Sequence, residues 1–101
     1  MIKHIVMIKV KEFGSQEKKT EVIRQLKKQI DDLVGVIEQI RFFETGLNIS
    51  ESPAAYDLVL ISEFDSLEDL DIYRKHPDHV KVLDTLAEVK DKITVVDYKF
   101  N

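Results

Sequence analysis

The chain has 101 residues, 15 basic against 19 acidic, for a net charge of −4; 44% of its residues are hydrophobic and 34% charged. That length allows one hydrophobic core, so residues 1–101 form a single domain, and the composition is that of an ordered chain. With no cysteine there is no disulfide framework, thiolate metal site or cysteine nucleophile, and interspersed charges of both signs leave no basic stripe for nucleic acid.

No window approaches the roughly 20 apolar residues of a spanning helix, and Met1-Ile2-Lys3-His4 does not open a signal peptide. A cytoplasmic location away from membranes is the expectation.

Ile2 to Val10 alternates, with Ile2, His4, Val6, Ile8 and Val10 on one face, and reads as the first strand. Ser15 then serves as an N-cap for a helix in which Val22, Ile23, Leu26, Ile30, Leu33 and Val34 form the apolar stripe, with Lys18, Lys19, Lys27 and Lys28 largely outside it. Gly35 ends that helix, and the β-branched and aromatic residues of Val36 to Phe43 predict the second strand.

Asn48 to Ala55 has the chemistry of a loop. Asp57 to Phe64 alternates as a third strand, turning Leu58, Leu60, Ser62 and Phe64 one way. Ser66 followed by Asp69 marks a helix start, and the helix continues through Leu67, Leu70 and Tyr73. His76-Pro77 interrupts it, and Pro77 opens a further helix carrying Val80, Leu83, Leu86, Ala87 and Val89. Ile93 to Phe100 is the last strand.

The order β-α-β-β-α-β, with the second helical region in two pieces, predicts an α+β, ferredoxin-like fold: one four-stranded antiparallel sheet with helices on one face. Ile5 and Met7 in the first strand, and Val96 and Tyr98 in the last, make these strands apolar on both sides. An antiparallel sheet with one wet face alternates more cleanly. The open face is therefore expected to meet a second copy, making a homodimer.

The three histidines, His4, His76 and His79, are the first candidates for proton transfer near neutrality. His76-Pro77-Asp78-His79 is a poor metal site, because the proline disturbs the geometry between the two rings and no third ligand is evident. His76 reads as a hinge whose ring, partly cationic, suits the negative end of one helix, while Asp78 suits the positive end of the next. His4 and His79 have two readings. Either they are hydrogen-bonded core residues, or they converge with Tyr73, whose phenol can donate to a carbonyl or enolate oxygen. Glu63 and Asp97 lie within strands and read as partners in rim salt bridges. No phosphate-binding loop, nucleophile elbow or nucleotide fingerprint is present, and no cofactor or metal is expected.

Ile2-Lys3-His4-Ile5-Val6, Tyr56-Asp57-Leu58, Ser62-Glu63-Phe64, Tyr73 with His76-Pro77-Asp78-His79-Val80, and Val96-Asp97-Tyr98 together resemble the stress-responsive dimeric α/β-barrel (Dabb) family over nearly the whole chain. The resemblance implies a ferredoxin-like subunit whose sheet pairs with its mate's to form a barrel. It also implies a stress-related protein that binds a small hydrophobic molecule or serves a structural role. The alternative is a cofactor-independent enzyme of polyketide cyclase, isomerase or monooxygenase type. In the polyketide-cyclase branch, the positions matching His4, Tyr73 and His79 perform acid–base catalysis: His79 would remove a proton α to a carbonyl while Tyr73 or His4 polarises the oxygen. Where that branch has a further pocket tyrosine in the first helix, this sequence has Lys27.

Overall fold

A computed structural model describes all residues, Met1–Asn101. β1 (Ile2–Val10) leads through Gly14, whose φ of 85° makes the turn, into α1 (Gln16–Asp31) and a single 3₁₀ turn, Asp32–Gly35. β2 (Phe42–Leu47), β3 (Leu58–Phe64), α2 (Leu67–Lys75), α3 (Pro77–Val89) and β4 (Lys90–Lys99) complete the chain. The sheet has the order β2-β3-β1-β4 with every pairing antiparallel, the ferredoxin-like arrangement.

Caps set the helix starts as the sequence predicts. Ser15 Oγ accepts from the Lys18 amide at 3.1 Å, and Ser66 Oγ from the Asp69 amide at 3.1 Å, each satisfying a donor that the helix itself leaves unpaired. His76 closes α2 and caps α3 together, its Nδ1 accepting from the Asp78 amide at 3.1 Å. Its ring nitrogen therefore acts as a neutral acceptor, not as the partly cationic partner of a helix dipole.

The core lies between the sheet and the helices. It joins Ile2, Val6, Ile8 and Val10 of β1, Leu58, Leu60 and Phe64 of β3, Leu26 and Ile30 of α1, Leu70 and Tyr73 of α2, and Val82 and Leu86 of α3.

Five local expectations are corrected. The second strand is Phe42–Leu47, not Val36 to Phe43. Val36 and Ile37 donate back to the Leu33 carbonyl, and Ile37 is buried in the core, so its β-branched shape serves packing rather than a ladder. Pairing begins where the Arg41 amide reaches the Glu63 carbonyl, and the register then runs from Phe42 opposite Glu63 to Leu47 opposite Leu58.

Lys19 is buried, not solvated: its ammonium reaches Glu12 at 2.5 Å and Asp57 at 3.9 Å. The bond to Glu12 raises its pKa despite the opposing effect of burial. Val34 is half exposed, because the 3₁₀ turn rotates it off the stripe. In α3 the inward residues are Val82 and Leu86, while Val80, Leu83 and Ala87 are exposed; Leu67 of α2 is exposed too.

The other face of the sheet carries no helix. Ile5, Met7, Val59, Ile61, Phe42, Val96 and Tyr98 share it by register, and Met7, Phe42, Val96 and Tyr98 are each more than 40% exposed. Glu63 meets Lys3 across this face at 3.6 Å, as a rim pair. No helix is long and apolar enough to cross a membrane.

Candidate active site

His4 sits mid-strand in β1, with Ser62 of β3 opposite on one side and Asp97 of β4 on the other. The pleat turns all three toward the helices. Ser62 is fully buried and its hydroxyl lies 3.4 Å from the His4 carbonyl. His4 Nδ1–H donates to Asp97 Oδ1 at 2.5 Å, and the other Asp97 oxygen accepts from Arg74 at 2.7 Å. A carboxylate can only accept, which assigns the proton to Nδ1 and leaves His4 Nε2 as the free ring atom.

Tyr73 lies above His4, on the inner side of α2. Its ring stands edge-on to His4 at 6.0 Å between centroids, rests on Phe64 at 5.0 Å and meets His79 at 4.5 Å. Burial alone raises its pKa, so the phenol stays protonated at any working pH. No protein group hydrogen-bonds that hydroxyl, yet the fold contains no orphaned buried polar side-chain atom. The hydroxyl opens instead onto a cleft.

The Pro77 break makes His79 reach that cleft. Because α3 starts afresh at Pro77, His79 lies in its first turn and folds back over the end of α2, where its Nδ1 lies 3.0 Å from the Arg74 carbonyl. A backbone carbonyl accepts, so Nδ1 carries the hydrogen and Nε2 keeps its lone pair. Burial lowers the His79 pKa, with the Arg74 carbonyl opposing and His4 assisting. His79 is thus a neutral base at neutral pH.

The cleft has a volume of about 320 Å³. His4, Tyr73, Arg74 and His79 gather at one end, and the rest is lined by aliphatic side chains, among them Ile8, Ile30, Leu86 and Ile93. It therefore brings together all three candidates, His4, Tyr73 and His79. Lys27 takes no part; half-buried, it pairs at 2.7 Å with Asp31, which also accepts from Thr45 of β2 at 2.6 Å.

Two members of the site were not assigned to it from sequence. Asp97 is not a simple rim ion pair, since it holds the His4 ring. Arg74 carries no motif of its own. The signal for Asp97 was the period-two alternation of β4, which puts it on the face of Ile93 and Val95, and the antiparallel register then brings it opposite His4.

A family model described as the stress responsive A/B barrel domain matches residues 2–100. The chain belongs to the Dabb family. A stress-response A/B barrel domain-containing protein of Arabidopsis thaliana is 33% identical over 100 residues, covering 97% of this chain but only 36% of that protein, so the chain spans about a third of that relative's length. An uncharacterised protein of Streptomyces coelicolor is also 33% identical, covering 99% of this chain and 100% of the relative. Among solved structures, a dimeric ferredoxin-like protein of unknown function from Bacteroides fragilis superposes with a TM-score of 0.88 at 38% identity, covering 98% of this chain and 95% of that one. For this Dabb chain the family accounts for the fold; the chemistry must be argued from the cleft.

Proposed function

We propose that this Dabb protein is a cofactor-independent acid–base enzyme, working as a homodimer, that binds a small hydrophobic carbonyl compound and moves a proton at the carbon next to the carbonyl. The observation that carries the reading is the packing of the His79 ring, with its Nδ1 held by the Arg74 carbonyl, against the Tyr73 ring at 4.5 Å, at the polar end of an apolar cleft. A role confined to structure would call for a filled core at this place.

In the reaction, His79 Nε2 takes the α-proton. The C–H electron pair moves into the carbonyl, and the oxygen becomes an enolate. Tyr73 donates a hydrogen bond to that oxygen as its charge develops, where water exclusion makes the bond count most. His4, held by Asp97, flanks the same oxygen from the sheet. The proton then returns from His79 to the enolate carbon, or the enolate carbon attacks a second carbonyl and the alkoxide so formed takes the proton from His79, giving α-proton exchange or aldol-type closure. The base is regenerated neutral and no redox partner is required.

The open sheet face supports the homodimer, because its apolar residues have no cover within one copy, and the Bacteroides fragilis protein is described as dimeric.

Exchange of the α-protons of 2-octanone for deuterium, followed by NMR, tests the catalytic reading. Exchange above the buffer rate is expected with the native protein and should be lost in His79→Ala. Binding of the ketone with no exchange above buffer would contradict the reading and leave a carrier.

A further inference from the structure

Arg74 reaches both His4 and His79, each through a different part of the residue. Its carbonyl lies in the last turn of α2, where backbone acceptors lose their helical donors. Three residues on, Pro77 has no N–H, and four residues on, the Asp78 amide is taken by the His76 ring. The carbonyl is thereby left for His79 Nδ1, at 3.0 Å.

The guanidinium serves the other ring. It donates to Asp97 Oδ2 at 2.7 Å, while Oδ1 of the same carboxylate accepts from His4. Charge-assisted bonds to both oxygens stop the carboxylate from turning about its own axis. Asp97 stands on the edge strand β4 with its side chain 24% exposed, so without Arg74 its second oxygen would turn to water. On its outer side Arg74 meets Asp71 at 3.6 Å, an exposed carboxylate shared with Lys75 at 3.8 Å. Exposed pairs of this kind hold a side chain weakly, and the contact with Asp97 decides where the guanidinium sits.

We infer that Arg74 is a positioning residue for the proposed reaction, setting His79 through its carbonyl and His4 through Asp97. The two rings come from opposite layers of the fold, and Arg74, next to Tyr73 in α2, fixes both relative to that phenol. This rests on the proposed acid–base function for what the rings do.

A double-mutant cycle on the deuterium exchange of 2-octanone tests the role of the side chain. The assay runs at about pH 8, above the ordinary histidine value, so that loss of the Arg74 charge does not act by protonating His79. Arg74→Met keeps the apolar stem and should lower kcat about tenfold, with KM within about twofold of native. Arg74→Lys should recover part of that loss, because an ammonium supplies the charge without the planar fork. Arg74→Met combined with Asp97→Asn should be no slower than Asp97→Asn alone, since the guanidinium acts through that carboxylate. Should Arg74→Met fail to fold, Arg74→Lys takes its place in the cycle. Asp71→Asn should leave kcat unchanged. In NMR spectra the His4 Nδ1 proton should be sharp in the native protein and in Asp71→Asn, and broadened by exchange with water in the Arg74 variant.

Loss of a merely stabilising ion pair would lower the unfolding midpoint and move neither kcat nor that proton. Such a result would overturn the inference, as would losses that multiply in the double variant or a raised KM in place of a lowered kcat. A native protein without His79-dependent exchange would remove the acid–base function, and the His4 proton would still report whether Arg74 fixes that ring.

Discussion

In the proposed reaction His79 is the base: the Arg74 carbonyl fixes its Nδ1 hydrogen and so leaves Nε2 as the basic atom, while burial outweighs that carbonyl's opposing effect and lowers the pKa. The pH dependence follows from the sign. With the folded pKa below the ordinary 6.5, exchange catalysis should stay level across neutral pH and fall only when acid protonates His79, below that ordinary value. The unfolded chain binds the proton more readily, so His79 contributes stability above 6.5 that is lost as pH falls through its folded pKa. A rate profile with its acid limb above 6.5 would contradict this assignment.

Tyr73→Phe separates chemistry from folding at a single oxygen. The ring contacts with Phe64 and His79 remain, and the lost hydroxyl has no protein partner, so urea unfolding should show no loss of stability, while exchange should fall roughly a hundredfold. Asp97→Asn addresses a positioning residue. It removes the carboxylate that orients His4, and should lower kcat by on the order of tenfold or more with little change in KM; an unchanged kcat would release Asp97 from that role.

At the scale of elements, the junction between α2 and α3 brings the site together. The first of these helices carries Tyr73 and Arg74, the second His79, and His76 caps the turn between them. His76→Ala should cost about 1 kcal/mol of unfolding free energy and reduce exchange as well, because it loosens the start of α3. Ser66→Ala, at the far end of α2, should cost a similar ~1 kcal/mol and leave exchange unchanged. Equal effects of both on exchange would show that the junction has no special place.

The caps were legible because Ser15, Ser66 and Pro77 act within one turn of their own chain. The second strand was not. Val36, Ile37 and Ile40 have strand-like side chains, but Ile37 is drawn into the core by the 3₁₀ turn before it, a tertiary contact that propensity does not record. Lys19 escaped for a similar reason: its partners Glu12 and Asp57 come from different segments, and only the fold brings them to one ammonium.

For the whole molecule, the two-sided strands were the readable feature. Ile5, Met7, Val96 and Tyr98 announced a second buried face, and the sheet leaves that face bare within one copy. Val96→Glu, which places a charge on this face beside Ile5, should shift the protein from dimer to monomer in light scattering. A dimer that persists in this variant would locate the contact elsewhere. The site was legible in part, since His4, Tyr73 and His79 carry recognisable chemistry. Their meeting, and the addition of Arg74 and Asp97, depends on a register between β1 and β4 that brings together His4 and Asp97, 93 residues apart.

The most direct test of a shared acid–base site is an NMR pH titration of the His79 ring, in the native protein and in His4→Gln. The account predicts a native His79 pKa below 6.5 that rises when His4 is replaced, because His4 charge opposes protonation of its neighbour across the cleft. A His79 pKa at the ordinary value and indifferent to His4 would mean that the two rings do not share one environment, and the proposed catalysis would lose its base.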